Sequence, residues 1–473
     1  MKTRIALSLT IILLLQFFDT ANYAQEKKQI YYEGKLKIQV QELRLVLKVS
    51  ENADGTTSAT LDSPDQGAKD IPVSKINITP DSLKFECAVI GAKYFSEIIK
   101  DSGYVKGNFT QGGMSLPLNL FVVEKPSEVK RPQTPTPPFP YNSEDVVFEN
   151  KDFNIKLAGT ITYPKDGNHF PAVVMVTGSG PQDRDETLMN HKPFLVIADY
   201  LTRNGIAVLR FDDRGTAKSE GYFSAATTID FASDAISAVE YLKTRKEINI
   251  DKIGLIGHSE GGLIAPFAAN QSDDISFIIM LAGTGVPGVE ILKLQTELIL
   301  RANGMEETKI KEQVESSSKA YQIIIDEPDS AKAYQKLKDL YKEEMSKLSD
   351  EEKSKPENTP EMFERTTRQI LSPWFRLFLK FDPRPYLENL KIPVLALNGE
   401  LDLQVEYKQN LPEIEKALKS GGNTKYTIKS LPGLNHLFQR AQTGGVNEYA
   451  KIEETISPDV LKIMSEWILE TVK

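Results

Sequence analysis

The stretch Ile253-Gly254-Leu255-Ile256-Gly257-His258-Ser259-Glu260-Gly261-Gly262 restricts the fold more than any other part of the chain. Ile253 to Ile256 is a short apolar run that suits a buried parallel strand, and Leu263 to Ala269 suits a helix. Between them, Gly257 and Gly261 flank a serine on a turn too crowded for side chains on either side. Gly262 eases the packing of the helix on the sheet. Strand, sharp turn and helix in this order lift a serine hydroxyl above a sheet, which makes Ser259 a candidate nucleophile. Gly-x-Ser-x-Gly alone occurs in many ordinary loops, so its weight comes from the strand before it and the helix after it.

A chain of 473 residues has room for two or three domains. Its 40% hydrophobic and 26% charged content is that of an ordinary globular protein. With a net charge of −9 it offers no basic surface for nucleic acid or anionic lipid. The single cysteine, Cys87, cannot close an internal disulfide, and no Cys/His cluster has zinc-site spacing, so no metal site is expected. Residues 1–24 read as a signal peptide: Lys2 and Arg4, then the apolar run Ile5 to Phe18, then a polar exit from Asp19 to Ala24. The run falls short of the roughly 20 apolar residues of a membrane span, and no cysteine marks a lipid anchor at its end. The mature chain is therefore expected to be exported, periplasmic or secreted, without a membrane span.

Residues 25–124 alternate with the period of half-buried strands, as in Leu43 to Val49, with turn signals such as Asn52-Ala53-Asp54-Gly55 between runs. This predicts a small antiparallel β domain, barrel or sandwich, with one helix around Ala92 to Lys100. Residues 125–143 form a linker whose six prolines between Pro126 and Pro140 favour an extended, semi-rigid spacer. From residue 144 to 473 the pattern changes class. Strands at Phe170 to Val176, Ile206 to Phe211, Ile253 to Ile256, Ile275 to Leu281, Ile392 to Leu397 and Lys425 to Ser430 alternate with amphipathic helices. That is the signature of an α/β fold with a mostly parallel sheet covered on both faces. A charged, helical insertion at about 287–382, with a Leu337, Tyr341, Met345, Leu348 stripe, predicts a helical cap over the carboxyl edge of the sheet.

A serine nucleophile needs a base, and the base needs a carboxylate to orient it. Of the four histidines, His258 adjoins Ser259 and should point away from it, and His169 precedes a strand at the wrong edge. His191 follows a buried strand and is a candidate pocket residue. His436, directly after the last strand, is the candidate base. The acid should lie between serine and histidine in the chain. Asp402, in the loop after Val394 to Leu397, is preferred over Glu400 because its position turns back toward the histidine. Two backbone amides must meet the developing oxyanion. Glu260, just after the nucleophile, supplies one, and Ser179 in Gly178-Ser179-Gly180 is assigned the other. The charged turn Asp212-Asp213-Arg214 is expected to hold its own loop together through internal ion pairs.

Gly-Ser-Gly-Pro-Gln-Asp-Arg-Asp at 178–185, Phe-Asp-Asp-Arg-Gly at 211–215, Gly-His-Ser-Glu-Gly-Gly at 257–262, Gly-Glu-Leu-Asp at 399–402 and Asn-His at 435–436 carry a family likeness. With them, residues from about 144 onward resemble the bacterial carboxylesterases of the α/β-hydrolase superfamily. The resemblance implies an α/β-hydrolase fold with an eight-stranded sheet, a Ser-His-Asp triad, no cofactor and short acyl esters as model substrates. Thr177 departs from it, standing where many relatives place a histidine before the oxyanion glycine. The expectation is a serine esterase acting on a small-molecule ester. A serine peptidase of the oligopeptidase type and a non-catalytic binding protein on a hydrolase fold are the alternatives.

Overall fold

The computed structural model describes residues 29–38, 41–52, 55–64, 68–98, 104–111, 114–127, 130–353 and 358–473. The leader expected over residues 1–24 lies outside the described residues.

Nine strands build the first sheet: β1 (Gln29–Ile38), β2 (Gln41–Glu51), β3 (Thr57–Ser63), β4 (Ala68–Pro72), β5 (Lys75–Thr79), β6 (Ser82–Cys87), β7 (Ala92–Ile98), β8 (Tyr104–Gln111) and β9 (Met114–Val123). They pair antiparallel in the order β4-β3-β2-β1-β9-β8-β7-β6-β5. Consecutive residues of the β4–β5 link touch opposite edges of this sheet: the Val73 N–H donates to the Ala59 carbonyl at 3.2 Å, and the Ser74 N–H to the Glu86 carbonyl at 2.7 Å. The sheet therefore rolls up on itself, barrel-like, around one core that includes Leu47, Leu61, Leu83, Tyr94, Leu118 and Leu120. Over Ala92–Ile98, the described part of the helix expected around Ala92 to Lys100, the chain is instead strand β7. Ala92, Tyr94 and Ser96 are buried while Lys93 and Phe95 are exposed, a period of two, and aromatic side chains suit the pleat.

The proline-rich segment hydrogen-bonds to the barrel near its start and to the α/β domain a few residues later. On the barrel side, the Ser127 N–H donates to the Glu33 carboxylate at 2.7 Å, and Arg44 donates to the Ser127 carbonyl at 2.7 Å. Four residues later, the Arg131 guanidinium donates to the carbonyls of Met189, Ala450 and Ile452 at 2.8–3.0 Å. Gln133 donates to the Ile456 carbonyl at 2.7 Å and accepts from the Thr455 N–H at 2.6 Å.

The second sheet comprises β10 (Asn142–Asn150), β11 (Ile155–Tyr163), β12 (Phe170–Val176), β13 (Ala207–Phe211), β14 (Ile248–His258), β15 (Phe277–Leu281), β16 (Val394–Gly399) and β17 (Tyr426–Leu431). Its order is β10-β11-β13-β12-β14-β15-β16-β17, with β10 and β11 antiparallel to their neighbours and the remainder parallel. Helices α1 (Pro193–Arg203), α2 (Thr228–Lys243) and α3 (Glu260–Ala269) alternate with the early strands. The insertion between β15 and β16 holds α4 (Gly288–Ala302), α5 (Glu307–Asp326), α6 (Ser330–Ser346), α7 (Asp350–Lys353), α8 (Pro360–Ile370) and α9 (Pro373–Lys380). After it come α10 (Arg384–Asn389), α11 (Tyr407–Ser420), α12 (Val446–Tyr449) and α13 (Pro458–Thr471).

Every residue of β13 and β15 is buried, as strands covered on both faces require. α1 and α13 pack on one face, and α2, α3 and α11 on the other. This is the α/β-hydrolase architecture. The cap has its own core of Tyr321, Ile324, Leu337, Phe363, Phe375 and Leu379. The chain leaves β12 for β13 on one side and returns to β14 on the other. The loops after β12 and β14 therefore diverge, and such a crevice is where open α/β sheets bind ligands.

Leu118 is 1% exposed inside the barrel. Leu118→Ala should destabilise that domain by about 2–5 kcal/mol, read as lost amide hydrogen-exchange protection in β8 and β9.

Candidate active site

Ser259 sits at φ 53°, ψ −114°, between the end of β14 and the start of α3. A non-glycine residue holds this backbone only where its surroundings over-determine it. They do so by backbone contact. A Cβ at position 257 would lie 1.9 Å from the Gly261 carbonyl oxygen, and one at 261 would lie 2.1 Å from that of Val176 on β12. The Ser259 N–H donates to the Leu281 carbonyl at the end of β15, 2.8 Å away. Because α3 begins at Glu260, that residue's amide is among the first-turn donors a helix leaves without an intrahelical acceptor.

Asp402 and His436 meet on the loops beyond β16 and β17. Asp402 Oδ2 lies 2.8 Å from His436 Nδ1, and Oδ1 accepts from the Gln404 and Val405 amides at 2.8 and 2.9 Å. The pair is almost fully buried, with Asp402 1% and His436 4% exposed. Glu400 makes no part of this contact; its carboxylate accepts from Ser430 at 2.8 Å. The two loops can approach because position 399 is glycine, where a Cβ would lie 2.2 Å from the Leu434 carbonyl oxygen. Since Nδ1 faces a carboxylate, it carries the ring's proton and leaves Nε2 free to accept one.

The loop after β12 lies against the serine. A Cβ on Gly178 would sit 3.3 Å from the Ser259 Cβ. Ser179 lies beside the Glu260 carboxylate, so the two residues expected to offer amides are neighbours in space. Burial raises the Glu260 carboxyl above its ordinary range, against donors from Thr228 at 2.7 Å and from the Trp374 indole at 2.8 Å. Trp374 belongs to α9, so Glu260 ties the cap to the nucleophile turn.

The charged turn after β13 pairs its ions with other elements, while Asp212 also accepts from the Lys218 N–H of its own loop at 3.2 Å. Arg184 grips Asp212 through two parallel hydrogen bonds at 3.0 and 2.7 Å. Asp213 accepts from the Thr177 hydroxyl at 2.7 Å and the Gln182 amide at 2.8 Å, and complete burial pushes its carboxyl well above the usual range. Arg214 turns the other way, to Asp234 on α2 at 2.6 Å. The expectation of ion pairs internal to the turn is thus corrected: Asp212 pairs with Arg184 in the loop after β12 and Arg214 with Asp234 on α2, since a turn between a buried strand and a helix has partners on both sides.

His169 is exposed, before β12. His191 is buried among Thr455, Tyr449 and Gln439, and burial pushes its imidazole down to about 4. His258 turns its ring nitrogens to Glu186 and to the His436 carbonyl, and its ring centroid is 4.9 Å from that of His436. Sequence reasoning missed Glu186, whose Oε1 accepts from the Gly178 N–H at 2.8 Å and faces His258 Nδ1 at 2.9 Å. It missed Trp374 as well. Among the described residues no group of three or more His, Cys, Asp or Glu side chains is placed to hold a metal ion, and no helix is long and apolar enough to cross a membrane.

Asp212 is 2% exposed, so removing its cation strands a buried charge. Arg184→Met should lower stability by about 3–5 kcal/mol, measured by denaturant unfolding followed through tryptophan fluorescence.

Three kinds of comparison place the molecule among known proteins. Residues 154–428 match the family described as X-Pro dipeptidyl-peptidase (S15 family). Esterase EstD of Thermotoga maritima is 36% identical over 165 residues, 34% of this chain; the chain spans 39% of that relative's length. An esterase of Pyrococcus furiosus, Pf2001, aligns over 74% of this chain and 100% of its own at 16% identity and a TM-score of 0.44. Est1E of Butyrivibrio proteoclasticus, solved with ferulic acid bound, aligns over 69% and 99% at 18% identity and a TM-score of 0.39. With the family's pattern covering more than half of its length, the chain belongs to the X-Pro dipeptidyl-peptidase (S15) family, and with it to the α/β-hydrolase superfamily of serine hydrolases.

Proposed function

We propose that the protein is an exported serine esterase of the carboxylesterase type that cleaves a small-molecule carboxylic ester through Ser259, His436 and Asp402. The observation that carries this reading is the buried Asp402–His436 hydrogen bond at 2.8 Å, on loops at the same sheet edge as the Ser259 turn. Ser259 Oγ attacks the ester carbonyl while His436 Nε2 takes its proton, and Asp402 stabilises the imidazolium. The tetrahedral oxyanion is held by the amides of Glu260 and Ser179. Collapse expels the alcohol, which receives the proton from His436, and leaves an acyl group on Ser259. Water, deprotonated by His436, then releases the acid and restores the serine. No step calls for a cofactor. Residues 1–24 direct export in this reading, to the periplasm or beyond.

The family description favours a second reading, a peptidase removing X-Pro dipeptides. The small rolled sheet at residues 29–123 is unlike the large propeller of oligopeptidases and supports the esterase reading over that particular alternative.

Ser259→Ala should lower turnover of p-nitrophenyl acetate by about 10⁶-fold, and Asp402→Asn by about 10⁴-fold. A fluorophosphonate should label the wild-type protein and not Ser259→Ala. Wild-type rates retained by folded Ser259→Ala would overturn the mechanism. Faster turnover of Ala-Pro p-nitroanilide than of the ester, measured as kcat/KM, would replace esterase by peptidase.

A further inference from the structure

Glu186 and His258 stand outside the Ser259, Asp402 and His436 set, yet together they touch both loops that must face the serine hydroxyl. His258 Nε2 lies 3.0 Å from the backbone carbonyl oxygen of His436, and Nδ1 lies 2.9 Å from Glu186 Oε1. A carbonyl oxygen only accepts, so Nε2 carries a proton. A neutral ring would then aim the bare Nδ1 lone pair at a carboxylate oxygen, which repels it. A second proton on Nδ1 converts the repulsion into a charge-assisted hydrogen bond. The same Oε1 accepts the Gly178 N–H at 2.8 Å, which fixes the Thr177–Gly178 peptide, one before the peptide that carries the Ser179 amide. Both side chains are buried, 9% and 6% exposed, where solvent screens such a pair little. Glu186 also holds a left-handed backbone, φ 51°, unusual for a side chain of its size and a mark of a residue held by its surroundings.

We propose that His258, as an imidazolium paired with Glu186, is a positioning residue that sets the Thr177–Gly178 peptide, and through it the Ser179 amide that follows, and the backbone of His436 at fixed distances from one nucleophile turn. The pair's hydrogen bonds go to main chain and to each other, and the His258 ring lies beside that of His436, 4.9 Å between centroids. The pair acts through the loops it holds, and its catalytic meaning rests on the triad reading above.

The charged and titratable groups facing His258 are Glu186, His436 and Asp402. Burial draws the His258 imidazole down. The Glu186 charge, the Glu186 hydrogen bond, the His436 carbonyl and the Asp402 charge together outweigh that and raise it above 6.5. A histidine raised on folding stabilises the fold fully below its unfolded value, and that contribution disappears as pH climbs through the folded value.

The chain has four histidines, so ¹⁵N-histidine labelling gives a spectrum in which each imidazole is assigned by its single variant. The signal lost in His258→Gln should show two protonated nitrogens at pH 7.5 in the wild-type protein. One bare nitrogen there would overturn the proposal. Glu186→Gln keeps the shape and removes the charge. It should lower kcat on p-nitrophenyl acetate by about 10²-fold with KM within about twofold, as a small misplacement of reacting groups does. Its stability deficit should be larger at pH 6 than at pH 9. His258→Gln, keeping a donor near the Nε2 position, and His258→Asn, keeping one near Nδ1, should each lose kcat similarly. The Glu186→Gln/His258→Gln double variant should be no slower than the worse single one. Folded Glu186→Gln with wild-type kcat, or additive losses, would also overturn it. If Ser259→Ala retained activity the triad reading would fall, while the nitrogen spectrum would still decide whether the pair is charged.

Discussion

The site depends first on main chain packed against main chain. Ser259 adopts a backbone angle that few residues with side chains tolerate, and no hydrogen bond of its hydroxyl is needed to hold it there. What holds it is the absence of a Cβ at two flanking positions, which lets α3 close to within contact of β12 and β14. Any side chain at either position would drive helix and sheet apart by an ångström or more, and the serine would relax into the ordinary region. Gly262 against Gly283 repeats the same economy of space one residue further on, where a Cβ would meet the Gly283 Cα at 2.6 Å. The strain at the serine is thus sustained by the whole central sheet.

Around this rigid turn the polar groups form a set of short links, each joining two different elements. Arg184 and Asp212 join the loops after β12 and β13. Thr177 and Asp213 join them again, from the inner side. Glu260, at the start of α3, joins α2 and the cap helix α9. Asp402 and His436 join the loops after β16 and β17. In a buried, weakly screened environment such links are strong when every member is satisfied and costly when one is missing. Loops at this edge are consequently positioned almost as firmly as strands, although none has regular structure. The cap shares in this through one indole N–H, and its aromatic face of Trp374, Phe378 and Phe381 packs on α3 beside the serine turn.

Much of this is readable from local pattern, because local physics decides it. The parallel strands announce themselves as uniform apolar runs, and Gly257 to Gly262 can hardly be anything but a tight strand-to-helix turn. Asp402 and His436 are legible since both follow strands whose order in the sheet is imposed by the alternation itself. What escapes is whatever depends on a distant partner. Glu186 looks like a surface acid in a polar loop; only the fold brings it to His258, 72 residues later. Glu260 and Trp374 are 114 residues apart and meet only once the cap is in place. The misreading of Ala92 to Lys100 as helix has a related cause. Ala-Lys-Tyr-Phe-Ser-Glu-Ile-Ile satisfies either period over so short a window, and its pairing with β6 and β8 settles the matter.

Arg131 deserves a last consequence. Its guanidinium fills the acceptor needs of three carbonyls that belong to segments on either side of the histidine loop, at Met189, Ala450 and Ile452. Those carbonyls border Tyr449, whose hydroxyl meets Gln404 beside Asp402. The peptide between the two domains is therefore a structural member of the second one, comparable to a keystone set from outside. The natural seam of the molecule falls between Ser127 and Arg131, after the first of the six prolines. A hydrolase severed on the wrong side of that seam would lose the brace behind its own acid and histidine loops.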